Sequence, residues 1–502
     1  MTFVATGDTT VDGTVTAAHD LNIGANGTST LNGTATANNV NITSGDDANV
    51  NGTVTAKSVT VDAGGDANVA GTTKAANDLL IESTNGDATL GGKASAMTAT
   101  VKADHDAKIN GLAVVTDVTI AAGNDATLSG AAVNGTGEVD DVTIVAGHDA
   151  NIDGLIAKAD TLAVAAKNDV TIAGLASTTD MTIDAGRDAD LGGLLGTHDV
   201  RVNAGKDIVM DGAETFRTDG VLSLTAGNDI RLGATKNLAA GSDLTLRAGS
   251  DITLDSAAST GGGNVLTSSG GKLAINHIGG GTTKSVLAIG DRVLSDAIAA
   301  NSNVNVLAYH GMDIGNITSG GNATIDGLGA GDITVRSGDV TGTAYIRSNI
   351  AGDLAVSNFR SGGMARYTTR GGNMTLENIY SDHRIGIWNY GRDKTTDLTN
   401  VKARNLISYL AFHLNTHDGV DAPVVFNILT AGDPARRAIG WRTAGDTHHH
   451  LLDAAEVYRF RRDWQDVGTF LTYEPLVPFL GLPGNAGEGE ITIEEANGDA
   501  TM

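Results

Sequence analysis

The sequence predicts an all-β chain wound into a parallel β-helix, a solenoid of about 20 residues per turn. Two observations carry the prediction: a corner phrase that returns at a nearly fixed distance, and apolar residues that alternate with polar ones on either side of it. The phrase reads AGNDATLSG at 122–130, AGHDANIDG at 146–154, AGRDADLGG at 185–193 and AGKDIVMDG at 204–212. Its aspartates fall at Asp47, Asp66, Asp87, Asp106, Asp125, Asp149, Asp169, Asp188, Asp207, Asp229 and Asp251, in steps of 19, 21, 19, 19, 24, 20, 19, 19, 22 and 22 residues. A period near 20 that absorbs small insertions marks repeats that stack only on their neighbours.

Each repeat opens with a second phrase, as in TDVTIAAG at 116–123, TDMTIDAG at 179–186, HDVRVNAG at 198–205 and SDLTLRAG at 242–249. Val118 and Ile120 point one way with Thr119 opposed, and Ala126 and Leu128 repeat the pattern around Thr127. Period two with β-branched residues means strand. A third short face follows the closing glycine, with Leu112, Leu155, Leu175 and Leu194 at matching places. Three short strands per turn, joined by Gly-Asn-Asp corners, give a three-sided coil. A helix in each repeat is excluded on length, and glycine at two or three places per turn disfavours it further. Each strand then pairs with its equivalent one turn on, roughly 4.8 Å away, and about twenty turns make a rod of roughly 100 Å.

The corner aspartates invite a calcium reading. Repeats that bind Ca²⁺ in this style have a shorter, nine-residue period and place the apolar residue two after the Asp. Here the larger apolar residue stands three after it, as Leu128 does after Asp125. The side chain is expected instead to bond nearby backbone amides and set the turn.

Composition agrees with a narrow coil. Among 502 residues only 4% are aromatic while 67 are glycine, and the inward positions hold Ala, Val, Ile and Leu. A net charge of −26, from 59 acidic against 33 basic residues, argues against duplex nucleic acid and anionic membrane as partners. There is no cysteine to form a disulfide, and no apolar run is long enough to span a bilayer as a helix. The first residues, Met1 to Asp8, lack the basic and apolar segments of a signal peptide. ATGDTTVDG at 5–13 already resembles a corner phrase, so the chain starts inside the solenoid, where a bare strand edge recruits partners.

Three regions are expected: regular coils over 1–270, degenerate coils over 271–410, and a terminal region over 411–502 that caps the coil or binds. In the middle region alternation persists, as in NATIDGL at 322–328 and NMTLENI at 373–379. A polar residue closes the strand at Asn316, Asp339, Asn358, Asn378 and Asn400, which predicts a stacked amide ladder with buried, mutually bonded side chains. Aromatic residues crowd the last quarter, and all five prolines lie at or after Pro423, where a continuous ladder would not accept them. The stretch 451–464 (LLDAAEVYRFRRDW) is expected to form a short helix over the solenoid end.

Little chemistry stands out. His448, His449 and His450 are adjacent and would alternate faces in a strand, while His413 and His417 suit a metal only on a helix. Arg436, Arg437, Arg459, Arg461 and Arg462 are local basic spots in an acidic protein. Polysaccharide lyases and hydrolases also use β-helices, but they need carboxylates converging at one place, and here an Asp stands at every corner. No catalytic residue, metal ligand or cofactor is assigned.

The two phrases at a 19–20-residue step resemble the repeats of filamentous haemagglutinin-type exoproteins, the adhesins of bacterial two-partner secretion. The resemblance covers 1 to about 270 well and 270 to about 410 loosely. It implies a right-handed β-helix, export through an outer-membrane transporter pore, an extracellular or cell-surface location, and attachment to host-cell or matrix glycans or proteins. The chain departs from the family in showing no secretion domain, no Arg-Gly-Asp tripeptide and no VENN junction. The expected function is a structural adhesin segment, a stiff rod mediating attachment or biofilm-type contacts. A polysaccharide-degrading enzyme and a fibre subunit associating end to end are the alternatives. Recognition is expected on the large amphipathic side chains of the last quarter, Trp388, Tyr390, Trp441, Tyr458, Trp464 and Tyr473, which would serve equally as a cap.

Overall fold

The computed structural model describes residues 1–411 apart from 115, 134–138, 174–175, 193, 197, 212–214, 234–236, 392 and 405. Beyond them it describes the backbone of the strands His413–Thr416, Val424–Leu429, Arg437–Arg442, His450–Leu451, Thr492–Glu495 and Gly498–Thr501. The fold is an all-β parallel solenoid of about 18 turns and about 20 residues per turn, with no helix among the described residues. Contacts divide it into two units, Met1–Asp255 and Ser256–Met502. The stretch 451–464, expected to be helical, lies outside the described residues past Leu451.

In the first unit a turn consists of one long and two short strands, for example Asp117–Ala122, Ala126–Leu128 and Ala131–Val133. Every strand pairs in parallel with its equivalent one turn away, so like residues stack: Ile120 opposes Val101 on one side and Ile144 on the other. Leu128 likewise stands between Ile109 and Ile152. Ile120, Leu128, Ile144, Ile152, Ile172, Ile183 and Leu191, expected in the core from their alternation alone, are all buried. Burying each such side chain contributes about 1.5–3 kcal/mol. Stacking a β-branched residue on another in register fills the narrow interior without aromatic side chains. The third strand forms as well; Leu112, Leu155 and Leu194 begin strands there, their side chains and Leu175 lying outside the described residues.

The third strand follows a tight corner. The carbonyl of Val50 accepts two successive amides of the next turn, from Ala70 and Gly71, both at 2.9 Å. Leu31, Val69, Leu90 and Ile109 do the same one or more turns away. This convergence draws the second residue of each pair against the turn before it. A Cβ on Gly71 would lie 1.9 Å from the carbonyl oxygen of Gly52, and one on Gly92 would lie 1.8 Å from that of Gly71. Glycine is the residue that fits, which explains why it recurs at the close of every corner phrase.

In the second unit the coil is redrawn with two strands per turn. A five-residue strand such as Ala344–Ser348 alternates with an eight-residue one such as Leu354–Ser361. The longer strand bends at Asn358, Asn378 and Asn400, whose φ of 49°, 54° and 50° lie in the left-handed region that asparagine tolerates. Asn378 Nδ2 donates to Asn358 Oδ1 at 3.1 Å, and Asn400 Nδ2 donates to Asn378 Oδ1 at 2.8 Å. Two details correct the expected ladder. Asp339 is not in it: register sets Asp339 between Thr318 and Arg360, and Ser337 takes the rung beside Asn316, donating to Asn316 Oδ1 at 2.8 Å. A strand that bends makes plain residue spacing a poor guide to which side chains share a rank. The amides are also exposed, because they line an outer bend and not the interior.

Beyond residue 411 the ladder changes direction. Val424–Leu429 still pairs in parallel with Leu406–Ala411, but Arg437–Arg442 runs antiparallel to it. Gly498–Thr501 likewise runs antiparallel to Thr492–Glu495.

Candidate binding surface

The corner aspartates are the first polar groups to account for. Asp47 Oδ1 accepts the backbone amide of Asp66 at 2.9 Å, Asp66 Oδ1 that of Asp87 at 2.9 Å, and Asp87 Oδ1 that of Asp106 at 3.1 Å. The series continues without a gap through Asp125, Asp149, Asp169, Asp188, Asp207 and Asp229 to the amide of Asp251. Each carboxylate therefore satisfies an amide of the following turn, where a bond within its own turn had been expected. Asp229 is held below the usual carboxylate range chiefly by the Asp251 amide, with the Arg231 guanidinium adding to it against the effect of burial. At Asp106 burial acts upward, but the Lys108 ammonium and the Asp125 amide together outweigh it.

Asp180, His198 and Asp199 bring three potential metal-ligand atoms within 4.8 Å of one another. The same ladder logic explains them: Asp180 Oδ1 accepts the Asp199 amide at 3.1 Å, and Asp199 Oδ1 accepts the Val221 amide at 2.8 Å. His198 Nδ1 lies 3.2 Å from Asp180 Oδ1 on an exposed edge. The glycine corner adds a shallow groove of ≈ 510 Å³, where Ala70 and Gly91 stand in line with Asn32 and Asn51 and leave a gap in the outer side chains. It offers backbone, two threonines and Lys93, and no aromatic platform.

Of the aromatic residues expected to contact a ligand, the structure describes two in full. Trp388 stands at an outward position of Arg384–Asn389, yet it is only 2% exposed, packed against Met364 and Tyr390. The Arg366 guanidinium lies 3.7 Å from the centre of its ring, a cation–π contact. Tyr390 is half-buried. In this arrangement the indole is a packing element, and no face of it is open to a ligand. Trp441 falls in the strand Arg437–Arg442 with its side chain outside the described residues, as are Tyr458, Trp464 and Tyr473. The histidines are in the same position: His413 and His450 lie in strands without described side chains, and His417, His448 and His449 are outside the described residues. Arg437 shares a strand with Trp441, and Arg436, Arg459, Arg461 and Arg462 are likewise outside.

A second cluster was not anticipated. Arg360 lies 5.7 Å above the ring of Tyr380 and donates to Asp382 at 3.0 Å. Asp382 also takes a hydrogen bond from the Tyr380 hydroxyl. Arg360 and Tyr380 hold its carboxyl below the usual range, Arg360 most, while the carboxylate pushes the phenol up. Unlike Trp388, Tyr380 is 39% exposed. The sequence carried a signal for this cluster: Leu354 to Arg404 holds eight Lys/Arg against four Asp/Glu, the reverse of the 33 against 59 in the whole chain.

No known protein family matches this chain, and comparison with curated proteins and with solved structures finds no similar one.

Proposed function

We propose that this chain is a structural segment of a secreted or surface-displayed adhesin of the filamentous haemagglutinin type, a stiff β-helical spacer that carries an attachment region in its last quarter. The carboxylate–amide ladder is the observation that supports this reading most. Ten successive links engage the corner aspartates of the first unit in turn-to-turn bonds, so those carboxylates serve the scaffold and do not converge on a reacting centre. The outward strand positions between corners repeat Thr, Asn and Asp, which present much the same surface from turn to turn. The final quarter differs in kind, with its aromatic residues, its prolines and its antiparallel strands. Export through an outer-membrane pore and an extracellular place of work belong to the same proposal, on the strength of the repeat resemblance.

The test is attachment of the full chain to cells and to matrix-coated surfaces, compared with a chain lacking 411–502. Retained folding with lost attachment is the expected result. A truncated chain that folds and adheres as the parent does would move recognition onto the flank of the solenoid. Reducing ends released from polysaccharide by the full chain would overturn the scaffold reading in favour of an enzyme.

A further inference from the structure

We propose that three turns of the second unit form a binding site for carboxylated polysaccharide, built on the rank Arg360–Tyr380–Lys402 and the neighbouring pair Asp382 and Arg404. Parallel register sets the first three directly over one another: Arg360 pairs with Tyr380, and Tyr380 with Lys402. The second rank follows from the corner bonds, with the Asp382 amide on Ser361 and the Arg404 amide on Ser381. Arg360, Tyr380, Lys402 and Arg404 are exposed. Gly362, at the start of the second rank, adds no side chain to that end of the surface.

The chemistry points to an acidic glycan. Successive turns repeat every ~4.8 Å, so cations in one rank face a polymer that offers one carboxylate per sugar ring. Arg360 is fixed in place by Asp382 and keeps further guanidinium N–H groups for a bidentate carboxylate. Tyr380 supplies an aromatic surface and a hydroxyl of the kind that sugar rings and their hydroxyls use. Asp382 repels a ligand carboxylate, but Arg360 and Arg404 flank it, and local charge over 354–404 is positive in a chain that is otherwise strongly acidic. A densely charged duplex would meet the repulsion of that acidic remainder, so a polysaccharide with one charge per ring fits better than nucleic acid. The proposal deepens the attachment reading by naming a ligand class.

The experiment is titration of the full chain with polygalacturonate, with neutral dextran and with duplex DNA, followed by calorimetry or affinity electrophoresis. The parent should bind polygalacturonate, more weakly as salt rises, and should not bind dextran. The double variant Arg360→Gln/Lys402→Gln should weaken binding by about tenfold or more, and Lys57→Gln in the first unit should leave it unchanged. If the double variant melts below the parent, Arg404→Gln, which leaves the Arg360–Asp382 pair intact, decides by the same readout. Equal binding to dextran, tighter binding to DNA, absent binding by the parent, or a variant indistinguishable from it would each overturn the site. The two proposals fail separately. A parent that adheres to surfaces without binding the polymer removes only this ligand, and one that binds the polymer without adhering removes only the adhesin role.

Discussion

The backbone amide of Asp125 donates to the carboxylate of Asp106 at 3.2 Å, one full turn of the coil away. That bond ties together two facts that look separate in the sequence: an aspartate at every corner and a period that varies from 19 to 24 residues. Because the bond joins equivalent corners, insertions elsewhere in a turn leave it intact. The 24-residue step illustrates this, since the Asp149 amide still reaches Asp125 Oδ1 at 3.1 Å. The second unit uses the same device with mixed residues, Asp332 Oδ1 accepting the Asp353 amide at 2.8 Å and Asp353 Oδ1 accepting the Asn373 amide at 2.7 Å.

Removing one rung should therefore cost more than a surface substitution and less than a core one. Asp106→Ala leaves the Asp125 amide without its acceptor and is expected to lower stability by about 1–2 kcal/mol in chemical denaturation. Asp106→Asn keeps a carbonyl acceptor and should lose less than half of that. Added calcium should leave the melting temperature of the parent unchanged. Equal losses for Ala and Asn would show that the charge, and not the acceptor, matters, and a calcium-dependent rise would favour a metal at the corners.

The ladder also sets a direction for pH. Asp106 and Asp229 are held below the ordinary carboxylate range in the folded chain. A lowered folded value means that the stabilisation is fully present above the unfolded carboxylate value of about 3.9 and is lost as pH falls through the folded values beneath it. Melting temperature should thus stay level from neutral pH to about pH 5 and fall below pH 4. Asp229→Asn should make that acid limb shallower. A limb that begins near pH 6 would point to histidine instead.

Much of this architecture was legible in the sequence, for a definite reason. In a solenoid each turn meets only its neighbours, so the period of 19–24 residues and the two-residue alternation specify both register and core. Ile120, Leu128 and Ile172 are buried as their alternation requires. Legibility falls where register depends on a bend: Asp339 shares the approximate spacing of the asparagines, yet the left-handed turn at Asn358 puts it in another rank. It falls again at the surface. An aromatic residue signals a large contact area without saying whether the chain itself fills it. Trp388 is taken up by Arg366 and Met364, whereas Tyr380, less conspicuous in the sequence, is the one left open.

The glycine at the end of each corner phrase makes a steric prediction. Ala at position 92 would place a methyl group 1.8 Å from the Gly71 carbonyl oxygen, a backbone atom that cannot swing aside. Gly92→Ala should then cost about 2 kcal/mol or more, by forcing apart turns that share bonded strands. Gly13→Ala is the control, because nothing lies within 4 Å of a Cβ there, and it should change little. Equal effects at the two positions would mean that backbone flexibility, and not contact between turns, explains the glycines.

Tyr367 offers a prediction of the opposite sign. It occupies an inward rank between Ile346 and Ile387 and is fully buried, its ring edge-on to Phe359 with centroids 6.4 Å apart. Among the described residues its hydroxyl meets no hydrogen-bond partner, and burial pushes its ionisation far above the ordinary phenol value. A buried hydroxyl without a partner forfeits its hydration and gains nothing in return. Tyr367→Phe keeps the ring, the stacking in the rank and the contact with Phe359 while removing that group. It is expected to raise stability by about 1 kcal/mol in denaturant titration. Tyr367→Ala should instead lower it by about 3–5 kcal/mol, through the cavity left between two isoleucines. A Phe variant less stable than the parent would mean that the hydroxyl is bonded in solution, with ordered water the first candidate partner.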